Sequence, residues 1–385
     1  MEGVTDISMR LWFALTSAPA YSTTPFLRLT DTFPAHQLPI TYAPELTTLK
    51  DLVPYQLIPQ VMASNYEHVA RTSEMILNHA DFLELNCGCP APTVVGHGAG
   101  SSILKDPEQF HRSIAWLCEK LGPKKLAIKI RLGFTDEKEF PDILTACQEL
   151  PLAMLTIHGR TRADRYQGHA RWHWIEQAAK ACRYPVIGSG DVTDRTSLEQ
   201  RLQIAPRVSR IIVGRGAVRN PWIFSEIEND EPVSIELGTL KQAISVLAIL
   251  EDWRMTEPEG LIRFAEEGHF KKAIGTDSAG WQVLLESLSK SRFGTSWCVN
   301  EIELHRRCLG RIKMLWSSLR SSLPAAFFAP EILRQSSLKG MLEQLNQVTG
   351  FQDSNMLSVS YKQEHDWVYA GAGRPKPPPA QTPSI

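Results

Sequence analysis

The sequence lacks several features that would assign it to a membrane, secreted or zinc-binding class. No apolar run approaches the roughly 20 residues of a membrane span, and residues 1–10 are mixed and polar, unlike a secretory signal. The seven cysteines, an odd number, include no Cys-x-x-Cys pair, and no second ligand pair accompanies Cys87 and Cys89. We therefore expect a reduced, cytoplasmic, monomeric protein with no metal and no membrane partner.

A strong net charge is also missing. The 41 Lys and Arg residues balance 42 Asp and Glu residues, which leaves a formal net charge of −1. Binding to a nucleic acid would therefore require positive charge that is concentrated on one face. The chain does have 385 residues and a hydrophobic fraction of 43%. These values allow one large domain with its own core and a smaller second domain.

Apolar, mostly β-branched runs alternate with segments of helical periodicity through the first two thirds of the chain. The predicted strands are 56–62 (interrupted by Pro59), 82–85, 126–132, 154–157, 185–187 and 210–213, and the predicted helices are 66–79, 107–121, 172–181 and 195–204. Chemically active or glycine residues follow five of these strands. In a (β/α)8 barrel all such ends meet at one mouth, whereas an open doubly wound sheet gathers its ligand in one crevice. The dispersed sites predict an α/β fold, a (β/α)8 TIM barrel.

Residues 83–107 are the most informative segment. A short apolar strand runs into Asn86, two thiols, a proline and a glycine-rich loop, so Asn86 and Cys89 lie just past a strand end, where catalytic residues concentrate. The two thiols could alternatively be small apolar core residues. The whole segment resembles the tRNA-dihydrouridine synthases, flavin enzymes marked by Asn-x-Gly-Cys-Pro, such a loop and Leu-Leu-Lys-Asp-Pro.

This resemblance implies a reaction. FMN, reduced by NADPH, would pass hydride to C6 of a uridine in tRNA, while Cys89 would protonate C5 as general acid and give 5,6-dihydrouridine. The uridine would first be flipped out of the folded tRNA, and the loop 91–102 would close over it. Cys87 is not expected to serve, because the first position of the thiol pair varies in the family.

Lys129 and Arg131 lie on one face of a predicted strand, with isoleucines on the other. Two cations would then point into the barrel, where a buried cation without a partner is costly. They would pair either with an internal acid such as Glu84 or with an anionic ligand over the mouth. The resemblance implies that Lys129 meets the electron-rich edge of the flavin ring.

A glycine turn at Gly214-Arg215, followed by Asn220-Pro221-Trp222 as a predicted helix start, is typical of a phosphate-binding segment. It matches the family's Gly-Arg-Gly-Ala-x-x-Asn-Pro-Trp. The family usually has Asn where Ser189 stands, which puts one side-chain hydrogen bond in doubt. The resemblance implies flavin binding by Gln60, Asn86, Lys129, His158, Ser189, Gly190, Asp191, Gly214 and Arg215.

The C-terminal third is predicted to be helical, at 240–255, 301–323 and 341–347. Arg306, Lys313 and Arg320 recur every seven residues opposite an apolar stripe, a pattern that also fits a solvated basic face. The segment resembles the C-terminal RNA-binding helix of the dihydrouridine synthase C subgroup, which acts at position 16 of the tRNA D-loop. The implied tRNA footprint is Arg160, Arg306, Arg311, Lys313 and Arg320.

The predicted domains are an FMN-binding barrel at 1–230, a helical tRNA-binding domain at 231–350 with an insertion at 257–300, and a disordered Pro-rich tail at 351–385. The family's chain normally begins with a strand ending in Ala-Pro-Met-x-Gly, whereas this one starts at Met1-Glu2-Gly3. We therefore expect the first barrel strand to be missing and its neighbours to be exposed edges, with the true start upstream.

Two other functions stay open. A flavin barrel could act on a free small molecule, although the basic C-terminal helix argues against it. The protein could instead bind tRNA without catalysis, since the missing strand and Ser189 would weaken a flavin site.

Overall fold

The protein is described from a computed structural model that covers residues 4–33, 38, 42–270, 277–299, 302–348 and 356–358. Its central element is a parallel sheet in which seven strands follow one another in chain order. They are β2 (Leu27–Arg28), β4 (Gln60–Met62), β5 (Leu83–Asn86), β6 (Leu126–Arg131), β7 (Leu155–His158), β8 (Val186–Ser189) and β9 (Arg210–Ile212). The sheet confirms the predicted parallel α/β barrel.

Pro59 interrupts the predicted strand 56–62, as the sequence indicated, and residues 24–26 interrupt the strand beside it. β1 (Tyr21–Thr23) pairs with β3 (Gln56–Ile58) below the break, and β2 pairs with β4 above it. A proline has no N–H for a ladder and is tolerated where pairing is interrupted. Within the described residues β9 pairs only with β8, so seven of eight barrel positions are filled.

Three of the helices that follow the strands begin where a side chain caps the first turn. Asn65, Asp106 and Asp194 each accept a hydrogen bond from a backbone N–H of the helix that they precede. The helices around the barrel are α2 (Tyr66–Leu77), α3 (Pro92–Gly96), α4 (Pro107–Leu121), α5 (Phe140–Cys147), α6 (Trp172–Ala181), α7 (Arg195–Ile204), α8 (Arg215–Arg219) and α9 (Ile223–Asn229). Three of them, α4, α6 and α7, have the predicted bounds.

A second apolar core joins the two ends of the chain. Its elements are α1 (Ile7–Ser17), β10 (Ser234–Glu236), α10 (Leu237–Thr256), α11 (Pro258–Glu266), α12 (Ser278–Phe293), α13 (Arg306–Ser318), α14 (Pro330–Leu333) and α15 (Leu338–Asn346). α1 is buried along its whole length, and the indole of Trp12 donates to the carbonyl of Ala243 at 2.8 Å. The described part of 257–300 belongs to this core, since Trp281 is fully buried there.

A short part of the predicted tail is described. Residues Met356–Ser358 form β11, which pairs antiparallel with β10. Apart from 356–358, the predicted tail lies outside the described residues. No described helix is both long enough and apolar enough to span a membrane, and the described residues contain no group of three His, Cys, Asp or Glu side chains suited to a metal.

Candidate active site

The turn after β5 displays the thiol of Cys89. The side-chain oxygen of Asn86 accepts the backbone N–H groups of Gly88 and Cys89, each at 3.0 Å, and so closes the turn locally. Cys89 is half-buried, whereas Cys87 is buried and its pKa is raised by burial. Of the two thiols, Cys89 is therefore the more accessible.

The glycine-rich loop is packed against this turn. The backbone N–H and hydroxyl of Ser101 both donate to the carbonyl of Cys89, at 3.2 and 2.9 Å. Gly100 has a φ of +59°, and a Cβ there would lie 2.8 Å from Val94 and 3.0 Å from Cys89. The loop therefore depends on glycine at this position to cover the backbone of the thiol-bearing turn.

A chain of hydrogen bonds crosses the inside of the barrel. The amide of Asn86 donates to Gln60 at 2.8 Å, and the amide of Gln60 donates to Glu84 at 2.5 Å. Thr156 on β7 donates to the other oxygen of Glu84 at 2.8 Å. These bonds orient Gln60 and leave one of its two amide hydrogens for a ligand.

Both cations of β6 point inward, as predicted, and Ile128 and Ile130 are fully buried in the core between sheet and helices. Burial lowers the pKa of Lys129 to about 8, while nearby Glu84 opposes this shift and Arg131 adds to it. Glu84, the internal acid expected as an alternative partner, therefore lies near Lys129. Among the described residues, however, no ion pair joins the two side chains.

Arg131 connects two loops at the mouth of the barrel. Its guanidinium donates to the carbonyls of Gly88 at 2.8 Å, Thr161 at 2.8 Å and Arg165 at 2.7 Å. Burial lowers its pKa to about 10. The turn that carries Cys89 and the loop after β7 are thus held by the same side chain.

The surroundings of His158, at the end of β7, favour its neutral form. Burial lowers its pKa well below the usual range, and the neighbouring cations Arg131, Lys129, Arg160 and Arg215 lower it further. Its Nδ1 is buried and has no hydrogen-bond partner within the described part of the chain. A buried polar atom of this kind needs a partner, which a bound ligand would supply.

Arg160 does not lie where the sequence analysis placed it. Its side chain is fully buried, bonds the carbonyls of Gln167 and Gly168 and forms a 2.6 Å ion pair with Asp191. A guanidinium in that position cannot contact tRNA, so Arg160 is removed from the predicted footprint. The sequence showed that a cation follows His158 closely. It did not show that Asp191, which follows the next strand, pairs with that cation in the interior.

The side chain of Asp191 is bound within the protein, and flavin binding by this residue stays a prediction. One carboxylate oxygen pairs with Arg160 and the other accepts the backbone N–H of Ala170 at 2.6 Å, so the side chain serves the protein interior. Ser189 is buried beside His158 in the sheet. Gly190 and Asp191 follow with φ values of +123° and +57°. A Cβ at Gly190 would lie 2.7 Å from Ala170, which requires glycine there.

The predicted phosphate segment after β9 contains two short helices. α8 begins at Arg215, directly after Gly214. Asn220 follows α8, and its side chain accepts the N–H of Trp222 at 3.1 Å and donates to Glu226 at 2.7 Å. α9 then begins at Ile223, so a helix starts directly after the predicted Asn220-Pro221-Trp222 segment. Gly216 allows α8 to approach the loop after β8 closely, because a Cβ there would lie 2.2 Å from the carbonyl of Val192.

The cations of α13 are divided between the surface and the interior. Arg306 is exposed on α13 and Arg320 is exposed just after it. Arg311 bonds Asp6 at 3.0 Å and the carbonyl of Val4, and Lys313 donates to the carbonyl of Gln335 at 2.5 Å. Arg311 and Lys313 therefore bind α13 to the rest of the protein, which leaves Arg306 and Arg320 as the exposed cations of the predicted footprint.

Two contributors to the site were missed. Thr156 lies on the same strand face as His158, and the two-residue alternation could have identified it. Tyr166, 43% exposed, lies against His158 with a ring separation of 6.5 Å. No periodic pattern marks a loop tyrosine of this kind.

Comparison with known proteins agrees with this geometry. Residues 1–249 match the family model described as dihydrouridine synthase. A probable tRNA-dihydrouridine synthase of Helicobacter pylori is 31% identical over 242 residues, 58% of this chain and 72% of that protein. One of Aquifex aeolicus is 34% identical over 51% of this chain and 61% of its own. The tRNA-dihydrouridine(16) synthase of Neisseria meningitidis is 31% identical over 60% and 72%. The chain thus belongs to the dihydrouridine synthase family.

Proposed function

We propose that this protein reduces a uridine of tRNA to 5,6-dihydrouridine, with FMN as its cofactor and NADPH as reductant. The observation that carries the proposal is the mouth of the barrel, where the half-buried thiol of Cys89 lies near Arg131 and buried cations surround His158. Arg131 links the two, since it bonds the carbonyl of Gly88 and lowers the pKa of His158. A proton donor beside an anion-binding pocket suits the reduction of a pyrimidine double bond.

The residues fit a flavin mononucleotide. The buried acids at the mouth are already bound, Glu84 by Gln60 and Thr156 and Asp191 by Arg160. Positive charge is therefore left over, and an anionic ligand would offset the cost of burying it. The chemistry that such a flavin supplies when bound is hydride transfer to C6 of the uridine, after reduction by NADPH.

Several side chains would contact the flavin. Lys129 would face the electron-rich edge of the flavin ring, and it carries its charge below pH about 8. The unpartnered Nδ1 of His158 would gain a hydrogen-bond partner, and Gln60 would offer its remaining amide hydrogen. Gly190, Gly214 and Arg215 would receive the phosphate.

Cys89 would hold the proton that C5 of the uridine receives. Its turn is set by Asn86, and Ser101 fixes its carbonyl, so the thiol has little freedom to leave the mouth. General acid catalysis by a positioned side chain is worth about 10²–10⁴ in rate. Cys87 cannot replace it because that thiol is buried.

The tRNA would lie across the mouth and the exposed cations of the helical region. Arg306 and Arg320 are exposed, as residues that bind phosphate must be. Position 16 of the D-loop is our proposed target, because the Neisseria relative is named for that position. A role in tRNA modification implies a cytoplasmic location.

The test compares Cys89→Ala with Cys87→Ser, the neighbouring thiol outside the mouth. Both variants are incubated with NADPH and tRNA that lacks dihydrouridine, and the product is mapped by mass spectrometry of tRNA fragments. Cys89→Ala should lower turnover by about 10²–10⁴ while bound flavin is retained. Cys87→Ser should keep near-normal turnover.

Three results would contradict the proposal. Near-normal turnover by Cys89→Ala would remove the thiol from catalysis. A purified protein that binds tRNA but no flavin would indicate a binding function. Reduction of a free pyrimidine at a rate equal to that of tRNA would indicate a small-molecule oxidoreductase.

A further inference from the structure

Three loops at the mouth of the barrel meet at the ring of Phe134, and two cations lie over that ring. The ammonium of Lys105 is 4.5 Å from the ring centroid, and the guanidinium of Arg162 is 4.8 Å from it. Lys105 ends the glycine-rich segment after β5, Phe134 follows β6 and Arg162 follows β7. The loops that follow parallel strands share one end of a barrel. These three residues, the rim cluster, therefore lie on the rim of the mouth.

The backbone holds the rim cluster beside the turn that carries the thiol. The N–H of Ala163 donates to the carbonyl of Phe134 at 3.0 Å, which joins the loops after β6 and β7. Ser101, in the same segment as Lys105, donates to the carbonyl of Cys89. A ligand that reaches Cys89 therefore passes near cations whose supporting loops are already connected to one another.

Both cations of the rim cluster keep a charge that no acid compensates. Among the described residues, neither Lys105 nor Arg162 forms an ion pair. The acidic side chains of the same three loops all bind other groups: Asp106, Asp136 and Glu139 accept backbone N–H groups, and Glu137 and Asp164 bind Arg171. The face of an aromatic ring attracts a cation but has no net charge. The two positive charges are therefore left for an anion from outside the protein.

We propose that Lys105 and Arg162 bind a backbone phosphate of the RNA whose nucleotide enters the mouth. The inference rests on the proposed function, which supplies the RNA. The flavin phosphate is assigned to the segments after β8 and β9, so the rim cluster is left for a different anion. A nucleotide that reaches Cys89 stays joined to its chain, and its flanking phosphates must then cross the rim. Phosphate contacts of this kind position the RNA without reading its sequence.

The experiment measures the Kd of the flavin-loaded protein for tRNA that lacks dihydrouridine, by filter binding between about 50 and 200 mM salt. Lys105→Gln combined with Arg162→Gln removes both charges of the rim cluster. Lys120→Gln combined with Arg183→Gln is the matched control, because it removes the same charge from the opposite end of the barrel. Lys120 also lies over an aromatic ring, that of Trp116 at 5.7 Å, in the last turn of α4, and Arg183 precedes β8.

The rim variant should bind tRNA at least about tenfold more weakly at the lowest salt concentration, the size expected when charged hydrogen bonds are lost. Its slope of log K against log salt should be less steep by about 0.7–0.9, because one phosphate is no longer neutralised. The control variant should bind tRNA within about twofold of the wild type.

Equal effects in the two variants, or no effect in the rim variant, would overturn the inference. A rim variant that is purified with less bound flavin than the wild type would also overturn it, since its cations would then serve the flavin site. Failure of the proposed function gives a different result: the wild-type protein itself binds no tRNA at any salt concentration, and the inference then fails with it.

Discussion

Replacing Lys129 by Met should stabilise the flavin-free protein while it weakens flavin binding. Burial lowers the pKa of Lys129 from its ordinary value of 10.5 to about 8. A tenfold change in acidity corresponds to 1.36 kcal/mol, so the charged form costs the folded state about 3 kcal/mol at pH 7. Met keeps most of the apolar stem and removes the charge. We therefore expect the free energy of unfolding to rise by about 3 kcal/mol at pH 7.

The pH dependence follows from the sign of the shift. Between pH about 8 and about 10.5 the unfolded chain still binds the proton of Lys129 and the folded protein does not. The stability contributed by this group therefore increases with pH in that window. The difference between Lys129→Met and the wild type should shrink from its value at pH 7 toward zero near pH 10.5.

The assay is urea unfolding of the flavin-free protein at pH 7 and pH 10, followed by the Kd for FMN at pH 7. Lys138→Met is the control, because Lys138 is exposed and such substitutions change stability by no more than about 0.5 kcal/mol. A Lys129→Met protein that is less stable than the wild type, or a stability difference independent of pH, would refute the reasoning about desolvation. Unchanged FMN affinity would refute the placement of Lys129 at the flavin.

Two further predictions concern the buried pair and the basic surface. Asp191→Asn leaves Arg160 buried without its counter-charge, so urea unfolding should show a loss of about 3–5 kcal/mol. Arg306→Gln combined with Arg320→Gln should weaken tRNA binding. The slope of log K against log salt, measured by filter binding, should become less steep by about 0.7–0.9 for each phosphate that the variant no longer neutralises.

Each of these two predictions has a result that would contradict it. A loss of stability below about 1 kcal/mol in Asp191→Asn would mean that solvent already reaches the Arg160 pair. For the tRNA footprint, the control is Arg183→Gln, because Arg183 is 85% exposed and lies before β8, at the end of the barrel opposite the mouth. An equal change of slope in this control and in the double variant would show that charge alone, and not its location, sets the salt dependence.

Local sequence was sufficient for six of the seven strands of the sheet and for four of the helices around it. The two-residue alternation of β6 placed Lys129 and Arg131 inside the barrel, and helical periodicity gave the bounds of α4 and α7. Site residues at strand ends were predicted correctly as neighbours, because parallel strands bring those ends to one edge. All of these conclusions depend on residues within a few positions of one another.

Tertiary structure decided which cations are available. Arg160 and Arg311 were both predicted to contact tRNA. Arg160 is instead buried in an ion pair with Asp191, and Arg311 forms an ion pair with Asp6. The same holds for Tyr166, which meets Arg215 only because the ends of β7 and β9 share a mouth. A sequence pattern reports which face of an element is apolar or charged. The partner that faces it comes from a distant segment, and its approach is set by packing rather than by local preference.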